Sequence, residues 1–530
     1  MQGGAITLRL GVLIAVVMAF FVILGKKPAP ATASRPNFLV VQVDDLSMDV
    51  FRSKLRAANG RQEPTMRKTR ELLGQQGTTF SRFYANNPIC APSRASLLSG
   101  LTTHNHGMLI NAAPFGYETW RNSPQNSDNL ATWLDDIGYW TVHVGKYMNG
   151  FGPESSVPPG WDTWITSANN SGAPYYGYSL NINGRITNPI GSWAKRDKAS
   201  CSPQIPTSSR ACKHANDVHT AYAVREIRRA SQTLSPFFLA LDLNAPHDDG
   251  RLGAGPEPPA RYRQLASRAV VPASIDDAAG NNTKPYFIKE LKPLTSKLRT
   301  EARNRFRTEV ASMRAVDDTL GRLVEVLRKT KQLSRTYVVF ISDNGMFHGQ
   351  HRIAYGKFLP HEPSTRQPLV IRGPKIRQGS VINAPASTID LAPTIMSLAS
   401  GNPGAQVDGK SLVPYLRNPS KKSPFAVPLE GFNGKGIDDP GPFTDGMGRN
   451  RPNQALVLNY TGFVSGRWKF IHYFYGENEL YDLKSDPREK VNLAADPDYQ
   501  DVIEWAQNVA EQLKNCSGTG CQVSPGLPRG

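Results

Sequence analysis

Residues 37–45 read NFLVVQVDD, an apolar run that stops at two aspartates. Seven residues with almost no polar interruption are typical of a strand that is covered on both faces of a sheet. Residues 140–144, 236–243 and 336–341 have the same character. Between such runs lie apolar residues at helical spacing, most clearly over residues 306–327. Strands that alternate with helices predict an α/β fold around a largely parallel sheet.

Polar or ionisable residues follow the carboxyl end of each predicted strand. They are Asp44, Asp45, Lys146, His247, Asp343 and Asn344. Ligands of parallel sheets bind beyond these ends, so we expect the side chains to meet. The aspartates and the asparagine offer oxygen ligands, which suit Ca²⁺ or Mg²⁺ rather than zinc. Taken singly, each of these groups is more often a helix cap or a tight turn.

The composition is that of a globular protein. The chain has 530 residues, of which 39% are apolar and 20% are charged. This excludes a mainly disordered chain, a polytopic membrane protein and a fibrous repeat, and the length favours one large domain with a smaller one. Lysine and arginine outnumber the acids by 62 to 44, a formal net charge of +18. Such an excess suits an anionic glycan, nucleic acid or acidic surface, and it equally suits a solubility charge.

The first 33 residues have the pattern of a targeting segment. Arg9 precedes an uncharged apolar run at residues 10–25, and residues 31–33, ATA, offer a cleavage site of small residues. The run of 16 residues is shorter than the ~20 that span a bilayer comfortably. We favour a cleaved export signal over an uncleaved membrane anchor. Both place the remaining chain in a secreted or cell-envelope compartment.

The chain has five cysteines. In an oxidising compartment we expect short-range pairs, Cys201 with Cys212 and Cys516 with Cys521. This pairing leaves Cys90 single. An unpaired cysteine in an exported protein calls for a chemical explanation.

That cysteine begins the segment CAPSRASLLSG at residues 90–100. Pro92 suits the first turn of a helix, so Cys90 lies at or just before a helix N-terminus, which favours anions. Arg94 falls on the same helix face one turn later and can reach back. The simpler alternative is a small apolar cysteine at a helix cap.

This segment resembles the signature of the type I sulfatases of the alkaline-phosphatase-like superfamily, C-x-P-S-R followed by two leucines and a glycine. Residues 138–146 resemble the family's second signature, and residues 479–493 resemble its usual carboxyl-terminal end. The resemblance implies an α/β sandwich with a large, mostly parallel central sheet flanked by helices, and a smaller carboxyl-terminal antiparallel sheet. We expect a catalytic domain at residues 34–417 and a second subdomain at residues 418–530, entered through a proline- and glycine-rich stretch.

The resemblance also implies a chemistry for Cys90. In type I sulfatases a separate maturase converts the motif cysteine to formylglycine. The hydrated aldehyde attacks the sulfur of a sulfate ester, the alcohol leaves, and a covalent sulfated intermediate forms. The second hydroxyl then expels sulfate, which a serine or a thiol could not do.

The same resemblance assigns roles to the residues at the strand ends. Asp44, Asp45, Asp343 and Asn344, together with residue 90, would bind one Ca²⁺, with Mg²⁺ less favoured. Arg94 would position and activate the formylglycine. Lys146 and Lys357 would neutralise the sulfate oxygens, and His247 would protonate or orient the leaving oxygen.

One departure from the family pattern concerns the residues after Lys146. Arylsulfatases carry a histidine two positions after this lysine, whereas residues 145–149 read GKYMN. That sequence is closer to the N-acetylglucosamine-6-sulfatase and extracellular endosulfatase branch. Asn149 and His348 are therefore predicted to bind substrate. The other histidines near the site are predicted to be structural or substrate-loop residues (His104 and His106) or packed within a strand (His143).

The predicted function is hydrolysis of a sulfate ester on a sulfated carbohydrate, such as a 6-O-sulfated N-acetylglucosamine. The expected partners are the maturase and the substrate, with no nucleic acid. Two alternatives remain: a phosphonate or phosphate ester hydrolase of the same superfamily, and a non-catalytic glycan-binding relative.

Overall fold

The computed structural model describes residues 35–169, 174–191, 213–249, 255–276, 281–433, 459–526 and 528. The predicted leader at residues 1–33 and the predicted pair of Cys201 with Cys212 lie outside these ranges. Within them, no helix combines the length and the apolar character needed to cross a bilayer.

The strands of the described chain form one large sheet and two small ones. In chain order they are β1 (Asn37–Val43), β2 (Lys54–Arg56), β3 (Gln62–Pro64), β4 (Thr78–Tyr84), β5 (Trp140–Gly145), β6 (Thr163–Ser167), β7 (Leu180–Ile182), β8 (Arg185–Ile186), β9 (Phe237–Asp242), β10 (Thr336–Ser342), β11 (Arg366–Arg372), β12 (Ser380–Ile382), β13 (Ala386–Ser387), β14 (Val427–Gly431), β15 (Tyr460–Ser465), β16 (Trp468–Tyr473) and β17 (Asn478–Asp482). The large sheet has the order β12-β4-β11-β10-β1-β9-β5-β6-β7-β8, with β13 beside β4.

The four predicted strands form the parallel centre of the large sheet. β10, β1, β9 and β5 lie side by side, each parallel to its neighbour. The register aligns Gln42 of β1 with Asp242 of β9, and Val43 of β1 with Ser342 of β10. All four strands therefore end at the same edge. The predicted α/β fold with a mostly parallel central sheet is confirmed.

Helices cover both faces of this sheet. In chain order they are α1 (Met48–Phe51), α2 (Arg67–Thr69), α3 (Cys90–Ser99), α4 (Thr103–His106), α5 (Tyr117–Asn122), α6 (Leu130–Asp136), α7 (Ala215–Ala230), α8 (Tyr286–Lys289), α9 (Ser296–Lys329), α10 (Glu362–Thr365), α11 (Leu391–Leu398), α12 (Val413–Arg417) and α13 (Gln500–Lys514). The helical spacing seen over residues 306–327 belongs to α9, which is 34 residues long.

The packing of β1 explains why its sequence is apolar without alternation. Leu39 and Val41 belong to the core that α7 and α9 cover, whereas Phe38 and Val40 belong to the core on the opposite face. Full burial of each such side chain contributes roughly 1.5–3 kcal/mol. In a strand with one solvated face, apolar and polar residues would alternate along the sequence.

The carboxyl-terminal residues form the predicted smaller sheet. β14, β15, β16 and β17 are antiparallel neighbours in that order. The apolar face of α13 packs on this sheet, with Val509 and Leu513 in the same core as Phe463. Cys516 and Cys521 form a disulfide after this helix, as predicted.

Candidate active site

Two hydrogen bonds donated by backbone N–H groups connect the loops that follow β1 and β10. The N–H of Asp343 donates to the carbonyl of Val43 at 3.1 Å, and the N–H of Asp45 donates to Oδ1 of Asp343 at 3.0 Å. Asp45 has a φ of +68°, a left-handed conformation that aspartate adopts more readily than most residues. These constraints bring the carboxylates of the two loops together.

Asp44, Asp45 and Asp343 form one buried carboxylate group. Each offers an oxygen atom, and these atoms lie within 4.8 Å of one another. Asn344 joins them, since its Nδ2 donates to Oδ1 of Asp45 at 2.6 Å. Burial, and next the negative charge of Asp44, raise the pKa of Asp343 to about 6.

Cys90 is the first residue of α3, and its side chain faces this carboxylate group. It is a free cysteine with no exposed surface. Its Sγ lies 3.3 Å from Oδ1 of Asp44, and Nζ of Lys357 donates to it at 2.7 Å. The thiol therefore lies between an anion and a cation at a helix N-terminus, where negative charge is stabilised.

Two buried lysines neutralise part of the carboxylate charge. Nζ of Lys146 donates to Oδ2 of Asp44, and Nζ of Lys357 donates to Oδ1 of Asp45. Burial opposes the charged form of both lysines. Asp44 nevertheless raises the pKa of Lys146, and Asp45 raises that of Lys357 well above its ordinary value. Both side chains are therefore cations.

The position of Lys146 depends on the glycine before it. Gly145 ends β5 with a φ of +113°, and a Cβ there would lie 1.9 Å from the carbonyl oxygen of Asp242. The missing side chain allows β5 to approach β9 closely, and the N–H of Lys146 donates to the same carbonyl at 2.8 Å.

Arg94 connects α3 to the strand ends. Its Nη2 lies 2.9 Å from Oδ2 of Asp343, and its Nη1 lies 3.3 Å from Oδ1 of Asp242. Asp242 also lies 3.2 Å from Nε2 of His143, which stacks on Trp164 inside the sheet. Sequence reasoning missed Asp242. The available signal was one acidic residue in an otherwise apolar strand.

His247 lies at the edge of the carboxylate group. Its Nδ1 donates to the carbonyl of Asp248 at 2.8 Å, and its Nε2 lies 3.7 Å from Oδ2 of Asp45. One ring nitrogen of His247, Sγ of Cys90 and one oxygen of Asp44 lie within 4.8 Å of one another. Burial opposes the charged ring, but Asp44 and Asp45 raise the pKa of His247 to about 10.

We name these residues together the catalytic cluster, after the roles that the family resemblance predicts for them. Its members are Asp44, Asp45, Cys90, Arg94, Lys146, His247, Asp343, Asn344 and Lys357. All of them were singled out from the sequence, and the fold brings them together from six separate segments of the chain.

The two predicted substrate-binding residues differ in their burial and in their hydrogen-bond partners. His348 has no exposed surface, and its Nε2 binds Oε2 of Glu309 on α9 at 2.8 Å. This contact favours a supporting position for His348 over a direct substrate contact. Asn149 is partly exposed, and its Oδ1 has no hydrogen-bond partner among the described residues. Substrate binding by either residue stays a prediction.

The two histidines of α4 have structural partners. His104 binds Glu430 through Nδ1 at 2.5 Å and the carbonyl of Cys516 through Nε2 at 2.8 Å. Nε2 of His106 binds Oγ of Ser96 at 3.1 Å.

The donor set of the catalytic cluster fits a hard divalent cation. Three carboxylates and one amide converge, and oxygen ligands of this kind suit Ca²⁺. Oδ1 of Asn344 is buried and accepts no hydrogen bond among the described residues. A buried amide oxygen without a partner, beside three carboxylates, is the oxygen that a bound cation would use.

The amino-acid sequence matches a known family over most of its length. The family model described as Sulfatase matches residues 36–401. The chain is 27% identical to human N-acetylglucosamine-6-sulfatase over 537 residues, covering 95% of this chain and 89% of the human protein.

Solved structures share the fold. BT4656, solved in complex with its substrate D-glucosamine-2-N,6-O-disulfate, superposes with a TM-score of 0.69 at 23% identity, covering 91% of this chain and 97% of that one. The phosphonate monoester hydrolase of Agrobacterium radiobacter superposes with a TM-score of 0.61 at 22% identity, covering 90% and 95%. At these identities the likeness concerns the fold alone.

Proposed function

This chain belongs to the sulfatase family and is a sulfuric ester hydrolase, and we propose that it acts on a sulfated carbohydrate such as a 6-O-sulfated N-acetylglucosamine. The substrate class is supported by the human relative named N-acetylglucosamine-6-sulfatase and by BT4656, which was solved with a sulfated glucosamine. The departure of residues 145–149 from the arylsulfatase pattern supports the same branch.

The observation that carries the proposal is the environment of Cys90. A buried free thiol touches both Asp44 and Lys357 at the N-terminus of a helix. A cysteine that only fills space in the core would need neither of these contacts. A nucleophile that must hold negative charge, and then receive an anionic ester, needs both.

We propose that a formylglycine-generating maturase oxidises Cys90 before the enzyme acts. In its hydrated form, formylglycine supplies an oxygen nucleophile and a second hydroxyl that permits release of sulfate. One Ca²⁺, held by Asp44, Asp45, Asp343 and Asn344 together with residue 90, would polarise a sulfate oxygen.

The side chains around Cys90 would bind and orient the ester. Lys146 and Lys357 would neutralise the sulfate oxygens, because both are buried cations directed at this point. Arg94, fixed by Asp343 and Asp242, would hold residue 90 in position.

His247 would give its proton to the leaving alcohol. The Asp248 carbonyl occupies its Nδ1, so Nε2 is the nitrogen that faces the cluster. From that position Nε2 would donate its proton to the leaving oxygen.

A cell-envelope or secreted location fits the same proposal. The disulfide between Cys516 and Cys521 is typical of an oxidising compartment. We propose that residues 1–33 direct export, either as a cleaved signal or as an anchor, that residues 34–417 form the catalytic domain, and that residues 418–530 form the second subdomain.

The second candidate is a phosphonate or phosphate ester hydrolase. The likeness to the Agrobacterium radiobacter hydrolase supports this alternative, since the same fold carries both reactions. A non-catalytic glycan-binding protein is the third candidate, and the complete catalytic cluster argues against it.

The deciding experiment compares two esters of one alcohol. The chain is produced together with a formylglycine-generating maturase, and turnover of N-acetylglucosamine 6-sulfate is measured beside that of the 6-phosphate. We expect sulfate turnover to dominate, and peptide mass spectrometry to find an aldehyde at residue 90. Negligible sulfate turnover by protein that carries the aldehyde would overturn the proposal. A thiol alone, in protein from its native host, would favour the binding protein.

A further inference from the structure

Residues 109–115 form a closed loop beside the N-terminus of α3. The N–H of Leu109 donates to the carbonyl of Phe115 at 2.9 Å, which closes the loop. Nδ2 of Asn87 donates to the carbonyl of Leu109 at 3.2 Å, which ties the loop to the segment that precedes Cys90. The position of the loop relative to the start of α3 is therefore fixed by hydrogen bonds.

Apolar packing places the same loop next to two segments that carry members of the catalytic cluster. Leu109 belongs to the same small apolar core as Ile89, which directly precedes Cys90. Phe358, which directly follows Lys357, packs against that core as well. The loop therefore stands where the segments of the predicted nucleophile and of one predicted sulfate-binding lysine meet.

Asn111 of this loop supplies a helix cap that the residue before α3 cannot supply. That residue is Ile89, whose apolar side chain makes no capping hydrogen bond. Instead, Oδ1 of Asn111 accepts from the N–H of Ala91 at 2.9 Å. An N–H group that has no partner within the helix is thereby satisfied from outside it.

This hydrogen bond fixes the orientation of the Asn111 amide. A backbone N–H only donates, so the side-chain atom that faces Ala91 must be the oxygen, and the NH₂ group must face away. Asn111 is partly exposed, and its Nδ2 donates to no acceptor within the described part of the chain. The protein thus presents a fixed amide donor beside the residue that follows Cys90.

We propose that Asn111 is a specificity-determining residue whose NH₂ group donates to an oxygen atom of the sugar, an inference that rests on the proposed function. The sulfate group itself would be held by Lys146 and Lys357, and both of these lysines are buried. Asn111 is more exposed than either lysine, as a contact to the sugar that carries the ester requires. Hydroxyl and acetamido oxygens both accept hydrogen bonds from such a donor.

Asn111→Asp separates the two functions of this side chain. Aspartate keeps an oxygen for the N–H of Ala91, and it caps helices as well as asparagine does, but it has no N–H to donate. Its negative charge weakens the binding of every sulfate ester, and an aryl sulfate, which has no sugar, measures that part alone. We expect kcat/KM for N-acetylglucosamine 6-sulfate to fall about fivefold further than kcat/KM for 4-nitrophenyl sulfate.

The matched control is Asn59→Asp, in the turn between β2 and β3. Oδ1 of Asn59 likewise accepts from a backbone N–H, that of Arg61 at 3.1 Å, and the side chain is exposed outside the catalytic cluster. The ratio of the two kcat/KM values should equal that of the natural protein. Peptide mass spectrometry of residue 90 and the melting temperature, measured for each protein, detect any difference in maturation or folding.

Glucosamine 6-sulfate identifies the oxygen atom that Asn111 contacts, because this sugar lacks the acetamido group. If the acceptor is the acetamido carbonyl, the additional fivefold loss in Asn111→Asp should disappear with this substrate. If the acceptor is a hydroxyl, the same loss should remain.

Three results decide the inference. A lower ratio in Asn111→Asp, with an unchanged ratio in Asn59→Asp, supports the sugar contact. Equal losses on both esters, or no loss on either, overturn the sugar contact while turnover of the sugar sulfate by the natural protein leaves the proposed function in place. No turnover of any sugar sulfate by natural protein that carries the aldehyde overturns the proposed function, and this inference with it.

Discussion

Two buried clusters in the described part of the chain each place three carboxylates beside two lysines and a histidine, and they differ in how the charges are arranged. One is the catalytic cluster. The other, which we name the interface cluster, joins the large sheet to the carboxyl-terminal sheet and consists of Glu362, Glu479, Glu489, Lys284, Lys469 and His361. In the interface cluster, Glu479 binds Nε2 of His361 at 3.0 Å and accepts from Tyr473 at 2.6 Å.

One acid of each cluster shows the contrast, Glu479 in the interface cluster and Asp343 in the catalytic cluster. Burial opposes ionisation of Asp44, but Lys146 and the other cations lower its pKa in the catalytic cluster as well. Burial opposes ionisation of Glu479, but His361 and its other partners lower the pKa of Glu479 to about 2. In the catalytic cluster, burial and Asp44 raise the pKa of Asp343 to about 6. The interface cluster therefore stabilises its own negative charges. The catalytic cluster crowds its carboxylates, which favours chemistry at the expense of stability.

Replacing Cys90 should produce the largest effect on activity and little effect on stability. For Cys90→Ala we expect kcat/KM for a sulfate ester to fall about 10⁴-fold or more, because the nucleophile is absent. Thermal unfolding should change little, since the small side chain packs against charged groups rather than an apolar core. Parallel measurements of turnover and of the melting temperature check both parts. A Cys90→Ala enzyme with substantial sulfatase activity would contradict the role of this residue.

Breaking the interface cluster should have the opposite result, a loss of stability with little change in activity. Glu479→Gln leaves Lys284 and His361 buried without their charged partner, which costs about 3–5 kcal/mol of folding free energy. We expect kcat/KM of the remaining folded enzyme to be unchanged. Glu504→Gln, an exposed position on α13, is the matched control and should leave the free energy of unfolding unchanged.

The difference in folding free energy between the natural protein and Glu479→Gln should depend on pH. The folded pKa of Glu479, about 2, lies below the ordinary value of 4.5, so its stabilisation is present above about pH 4.5 and is lost as the pH falls toward 2. The stability gap between the natural protein and Glu479→Gln should therefore narrow between about pH 5 and pH 3. Chemical denaturation at both pH values measures this gap. A gap that widens on acidification would contradict the low pKa of Glu479.

Calcium should act on the catalytic cluster alone. At a free concentration of one hundred times Kd, a bound ion stabilises the folded state by about 2.7 kcal/mol. We expect chelation to abolish turnover, and added Ca²⁺ to restore both turnover and the melting temperature. In Asp44→Asn the Ca²⁺-dependent rise in melting temperature should be reduced, whereas in Glu479→Gln it should persist. An equal response in both variants would place the ion elsewhere.

The sequence predicted the centre of the fold because β1, β5, β9 and β10 are buried on both faces. Such strands are apolar throughout, and their parallel ends must share an edge. Asp44, Asp45, Lys146, His247, Asp343 and Asn344 follow those ends, which is why a single sequence could point to them. Cys90 and Arg94 were singled out by the unpaired cysteine and the helix that it begins, whereas Lys357 required the family resemblance.

The remaining contacts depend on packing that no local pattern reveals. The guanidinium of Arg94 binds Asp343 and Asp242, two partners that the sequence did not indicate. His348 is bound to Glu309, which was also not predicted, and substrate binding by His348 stays a prediction. Both contacts join residues that are distant in sequence and that neutralise a buried charge.

Glu309 belongs to a chain of contacts that leads from α9 to the edge of the catalytic cluster. Its Oε1 accepts from Nε of Arg305 at 3.2 Å, and Nη2 of Arg305 donates to Oδ2 of Asp248 at 3.1 Å. The carbonyl of Asp248 in turn holds Nδ1 of His247. Arg305 is buried. Through its contact with Asp248, Arg305 positions the residue that orients His247, and its own hydrogen bonds go to Glu309 and Asp248.

Releasing Asp248 should therefore give the smallest of these effects on catalysis. For Arg305→Gln we expect kcat to fall about tenfold on a sugar sulfate, whose alcohol is a poor leaving group and needs a proton from His247. An aryl sulfate leaves without that proton, so its turnover should fall much less, and Arg305→Lys should recover part of the loss. A merely structural role for Arg305 predicts equal losses on both esters. The ratio of the two kcat values, measured in all three proteins, distinguishes positioning of the acid from general loosening of α9.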